Sequence, residues 1–105
     1  MGTAKTPHIP IATDQLAEFC RRNGVAKLSL FGSVLSDRFS DASDVDVLVE
    51  FQAGRRVGYV AMAALERELS SLFGGRKVDL RTPNELSPYF RDEVLSDAAV
   101  QYIAA

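Results

Sequence analysis

The chain has 105 residues, 47% of them hydrophobic and 25% charged, with 12 basic against 14 acidic side chains and a formal net charge of −2. That is the size and balance of one globular domain with a core of its own, and it excludes a fold-wide basic grip on nucleic acid. A single cysteine excludes an internal disulfide, one histidine beside it excludes a zinc cage, and no apolar run approaches the ~20 residues of a membrane span, so the expectation is a cytoplasmic domain in which any metal is held by oxygen.

Residues 1–12 hold Gly2, Pro7, His8 and Pro10 and predict a flexible tail or extended lead-in, followed by one domain over 13–105. They contain no apolar stretch of the kind a signal peptide needs. His8 has no chemical companion and is given no role. Thr13 opens a helical pattern: it is a candidate cap, Asp14 suits the positive end, and Gly24 ends the run. Leu16, Phe19 and Cys20 share one face, which makes Cys20 a core residue. Residues 26–31 (AKLSLF) alternate as a strand with Leu28 and Leu30 on one side. Gly32-Ser33 closes that strand, and 34–39 suggest a short helix. Residues 40–43 (SDAS) make a turn, and 45–51 (VDVLVEF) make a well-buried strand.

Gly54 and Gly58 flank a turn carrying Arg55 and Arg56, a solvated pair by expectation. From 57 to 73 the period is again helical, with Met62, Leu65, Leu69, Leu72 and Phe73 on one stripe and Gly74-Gly75 as the stop. Residues 77–81 (KVDLR) form a third strand. Phe90, Val94, Ala98 and Tyr102, four apart, predict a last helix over about 88–103. The elements alternate helix and strand. The expected class is α/β (α+β), a small mixed sheet of about three strands flanked by about four helices.

Asp44 and Asp46 stand at the mouth of the most apolar strand. Residues two apart on a strand face the same side, roughly 6–7 Å from each other. Two ionised carboxylates there repel one another and lose hydration, a cost that a cation offsets. Asp79 interrupts the third strand in the same way, and pairing of the two strands would bring three acids to one place. An isolated Asp at a strand end is ordinarily a turn or cap residue, a description that suits Asp37 and Asp41. Three acids within or at the mouth of apolar strands instead suggest ligands for Mg²⁺ or Mn²⁺. Two such ions ~3.5–4 Å apart would clamp the attacking and leaving oxygens of a phosphoryl transfer. Gly32 allows close backbone approach, the following amides point outward to an anion, and Ser33 adds a hydroxyl donor.

Phe31-Gly32-Ser33, then Ser43-Asp44-Val45-Asp46, then a distant Asp79 resembles the DNA polymerase beta superfamily of nucleotidyltransferases. The segments FGSVL, SDVDVLVEF and GRKVDLRTPNELSP look like its minimal nucleotidyltransferase (MNT) branch, from about residue 13 to the C-terminus. The resemblance implies a polymerase-beta-like fold. It also implies that Gly32 and Ser33 hold the nucleotide phosphates, that Asp44, Asp46 and Asp79 bind two Mg²⁺ (or Mn²⁺) ions, and that Asp79 lies nearest the attacking hydroxyl. In that branch the enzyme is often the antitoxin of a HEPN-domain toxin and moves AMP from ATP onto a toxin tyrosine. A non-catalytic module that neutralises the toxin by complex formation is the alternative. Relatives commonly carry an arginine one or three residues after the Gly-Ser pair. Val34 and Ser36 stand there in this chain, with Arg38 nearby. Arg76 and Lys77 are equally candidates for holding a nucleotide and for covering the surface, whereas Tyr59, Tyr89 and Tyr102 are expected to serve packing.

Overall fold

A computed structural model of the chain describes residue 7 and residues 9–104. The elements run α1 (Thr13–Arg22), β1 (Val25–Phe31), β2 (Val45–Phe51), α2 (Tyr59–Leu72), β3 (Val78–Arg81), α3 (Arg91–Asp97) and β4 (Ala99–Ile103), with single 3₁₀ turns at Gly32–Leu35 and Pro83–Glu85. The four strands form one mixed sheet in the order β3-β2-β1-β4. β1 is antiparallel to both β2 and β4, whereas β2 and β3 are parallel. A parallel pair needs a crossover, and α2 supplies it.

Strand alternation divides the sheet into two chemically different faces. Leu28 and Leu30 of β1, Val45, Val47 and Val49 of β2, and Val78 and Leu80 of β3 enter the core. Leu16, Phe19 and Cys20 of α1 meet them there, with Leu65, Leu69 and Phe73 at the end of α2. Phe19, Leu28, Leu30 and Leu69 lose nearly all their exposed surface, so this layer supplies the apolar driving force. Arg22 donates to Glu68 and ties the two helices at their exposed edge. The opposite face carries Asp46, Leu48 and Glu50 of β2 beside Asp79 and Arg81 of β3, by the pairing register.

The fold class agrees with the expectation; the count of elements does not. The helix expected over 88–103 is seven residues of α3 followed by a strand. Ala98 turns extended (ψ 138°), and β4 then pairs along the free edge of β1. An unsatisfied strand edge outweighed a four-residue apolar spacing that suits either element. The helix expected over 34–39 is replaced by a single 3₁₀ turn that spans Gly32–Leu35, and the chain from Ser36 onward is turn and irregular backbone. Thr13 lies inside α1, and the capping position is Ala12, without a side-chain cap. Ile9 is buried and Ile11 packs against the core, although both fall in the expected lead-in. His8 and residues 1–6 of that lead-in lie outside the described residues. No helix among the described residues is long and apolar enough to cross a membrane.

Candidate active site

The site grows from the register of three adjacent strands. Val45 N donates to Lys77 O at 2.8 Å and starts the parallel ladder at the mouth of β2. From there Val45 pairs with Val78 and Asp46 with Asp79. With the valines in the core, alternation turns both aspartates to the other face. On the far side of β2, Asp46 pairs with Phe31, the last residue of β1. Asp46 is therefore flanked by Asp79 on one neighbouring strand and by the Phe31-Gly32 bend on the other.

Gly32 makes that approach possible. Its φ of +76° is a conformation that L side chains rarely adopt, and a Cβ built on it would collide with the Asp46 carboxylate. The 3₁₀ turn that begins at Gly32 brings Ser33, half-buried, next along the chain. Amides at the start of such a turn lack an internal partner, which suits them to an anion.

Asp44 precedes β2 and leaves the turn closed by Ser43 N donating to Ser40 O (3.0 Å). The Arg76 guanidinium holds that turn: it lies 4.7 Å over the Phe39 ring and donates to Ser40 O (3.2 Å) and Asp41 Oδ1 (3.3 Å). Arg76 is thus a structural clamp, whereas Lys77 Nζ lies 3.9 Å from Asp44 Oδ2.

The Asp46 carboxyl feels both of the other acids. Partial burial pushes the Asp46 carboxyl above its ordinary 3.8, and the negative charges of Asp79 and Asp44 push the same way. Arg81 opposes them in part. Its Nε and Nη2 donate to Asp79 Oδ2 at 3.2 and 3.1 Å, and this bond raises the guanidinium's own pKa. As they stand, the described residues contain no cage of three or more carboxylate, histidine or cysteine side chains. Asp79 is engaged by Arg81 and Asp44 lies near Lys77, so coupling through space and a closed ligand set are different things here. The donor chemistry nonetheless fits a hard divalent cation: clustered carboxylate oxygens whose mutual repulsion a cation would relieve.

Arg81 was absent from the residues singled out in sequence. Its signal is the two-residue spacing from Asp79, which puts both on one face of β3. Tyr59 and Tyr89, expected to pack, are 92% and 90% exposed; only Tyr102 packs against the core. Tyr59 begins α2 at the molecular edge and Tyr89 lies in the turn before α3, so neither has a layer to enter. Cys20 is buried, and burial pushes its thiol up to about 12.

The sequence matches the model of the family described as nucleotidyltransferase domain over residues 13–100. A Methanocaldococcus jannaschii protein named "putative protein adenylyltransferase" is 34% identical over 77 residues, 73% of this chain and 80% of the relative. A solved structure titled as a "putative minimal nucleotidyltransferase" superposes with a TM-score of 0.66 at 32% identity, covering 82% of this chain and 85% of that one. The fold is also found in the solved complex of a tri-AMPylated Shewanella oneidensis HEPN toxin with MNT antitoxin. There the TM-score is 0.62 at 19% identity, over 88% of this chain and 70% of that chain.

Proposed function

The chain belongs to the nucleotidyltransferase domain family, and we propose that it transfers AMP from ATP to a tyrosine hydroxyl of a HEPN-type toxin, acting as the cytoplasmic antitoxin of a two-gene module. The observation that carries this reading is the position of Asp46 between Asp79 and the Gly32 bend. An acidic cluster for cations thereby adjoins a backbone turn suited to phosphate. The adenylyltransferase relative and the AMPylated HEPN complex support the choice of transferred group and acceptor.

Asp44, Asp46 and Asp79 would hold two divalent ions, Mg²⁺ or Mn²⁺. Such ions, when bound, lower the pKa of the attacking hydroxyl and neutralise charge on the phosphates. The Gly32 turn and the Ser33 hydroxyl bind the triphosphate and hold the α-phosphorus toward Asp46. Asp79, nearest the incoming hydroxyl, accepts its proton. The acceptor oxygen bonds to the α-phosphorus, the bond to the bridging oxygen breaks, and pyrophosphate leaves. The guanidinium of Arg81, which donates to Asp79, supplies the positive charge that Val34 and Ser36 do not.

Those two positions also favour a second reading, in which the chain neutralises its partner by complex formation without transfer. One experiment separates the two. The chain is incubated with Mg²⁺, ATP labelled at the α-phosphate and the protein encoded by the adjoining reading frame. Transfer predicts label on the partner. It also predicts that Asp46→Asn lowers labelling by more than the ~10–100-fold that loss of an outer-shell partner of a metal costs. Neutralisation without label, retained in the Asp44→Asn/Asp46→Asn variant, would establish the second reading.

A further inference from the structure

The face of α3 has a chemistry that AMP transfer to a hydroxyl leaves unused. Phe90, Glu93, Val94 and Asp97 follow one another at helical spacing and line a cavity of about 380 Å³. Its other wall includes Phe31, Gly32 and Leu35. Two of these belong to the site already described: Phe31 is the register partner of Asp46, and Gly32 is the bend in contact with its carboxylate. The cavity therefore opens directly beside the proposed transfer centre.

The lining is apolar at the walls and acidic at the lip. Phe90 is 62% exposed, an uncommon position for a large aromatic ring unless something covers it. Glu93 and Asp97 are exposed on the same helix face, and no cation pairs with either among the described residues. A peptide segment with positive charges and an apolar or aromatic side chain would be attracted to this lip.

We propose that this groove between α3 and the Phe31-Gly32 bend docks the acceptor segment of the protein substrate, a stretch in which the modified tyrosine is flanked by arginine or lysine. The apolar walls take the neighbouring side chains, Glu93 and Asp97 take the cations, and the tyrosine hydroxyl is presented toward Asp46 and Asp79. The proposal rests on the transferase reading and adds to it the rule by which an acceptor is chosen.

The test uses the full chain and a fluorescein-labelled peptide with one tyrosine between leucine and arginine residues, its binding read by fluorescence anisotropy. A control peptide carries glutamate in place of each arginine. The expected result is that the cationic peptide binds at least about tenfold tighter than the control and that binding weakens with salt. Glu93→Gln/Asp97→Asn should weaken it about tenfold. Phe90→Ala, at an exposed position outside the core, should weaken it independently. Absence of cationic-peptide binding, or unchanged affinity in both variants, overturns the proposal. So does a double variant that loses affinity for a fluorescent ATP analogue while keeping the peptide, which would assign the cavity to the nucleotide. Labelled ATP added to the same mixtures separates the two ideas. A peptide that binds through the groove yet never takes AMP counts against the transferase reading alone. Transfer to it at undiminished rate by the double variant removes the groove and leaves transfer standing.

Discussion

Replacing Gly32 by alanine tests the closest contact in the site. At φ +76° an L side chain costs about 1–2 kcal/mol from backbone sterics alone. The added Cβ also meets the Asp46 carboxylate, which must leave its rotamer at a further cost of about 0.5–1.5 kcal/mol. The total is about 1.5–3.5 kcal/mol, or a fall in Tm of roughly 6–28 °C for a domain this size. Gly54 provides the control. Its φ is +83° and nothing lies within 4 Å of its hypothetical Cβ, so Gly54→Ala carries the backbone penalty without the collision. Thermal melts followed by circular dichroism would then show Gly32→Ala more destabilising than Gly54→Ala. In an Asp46→Ala background the excess should vanish, because the colliding atoms are gone. Equal losses at the two glycines, or an excess that survives removal of Asp46, would refute the close approach of bend and acid.

Three further outcomes follow from the electrostatics and packing. Asp46 has a raised carboxyl pKa, so the folded chain keeps its proton to higher pH than the unfolded one, and stability falls as pH rises from the ordinary 3.8 through the raised value. Asp46→Asn should therefore raise Tm at neutral pH and flatten this decline while removing transfer activity; a lower Tm at neutral pH would mark the carboxylate as structural. Arg81→Gln frees Asp79 and removes a positive charge from the acid cluster, so calorimetry should find several-fold tighter Mn²⁺ binding without nucleotide, and unchanged or weaker binding contradicts the competition. Cys20, buried and with its thiol raised to about 12, should resist a disulfide reagent at about pH 8 until the chain is unfolded; fast reaction of the native protein would show that the α1 face is open.

The parts legible in sequence are those where one physical pattern dominates. β2 is a run of valine and leucine interrupted by Asp46 near its start and Glu50 near its end, and the structure gives it the bounds expected, Val45–Phe51. The stripe from Met62 to Phe73 and the two glycines after it likewise define α2 and its end. The pairing of β2 with β3 was only conditional in sequence, because strand order is a property of the whole sheet. The register Asp46 to Asp79 supplies it. β4 was illegible for a related reason. Its five residues (AVQYI) have no meaning as an edge until β1 is known to need a partner. Charge alone does not mark Arg81, because Arg76 and Lys77 lie about as near to Asp79 in sequence and only the alternation of β3 puts Arg81 on the same face. Arg76 instead serves the turn at Phe39 and Ser40.

The most direct test of the whole account is anomalous diffraction from crystals of the chain soaked with Mn²⁺ and a non-hydrolysable ATP analogue. The account predicts manganese peaks bounded by the carboxylates of Asp44, Asp46 and Asp79, with the analogue's phosphates on the amides after Gly32 and the Arg81 guanidinium withdrawn from Asp79. Manganese bound elsewhere, with Arg81 still on Asp79 and phosphates away from the bend, would contradict it.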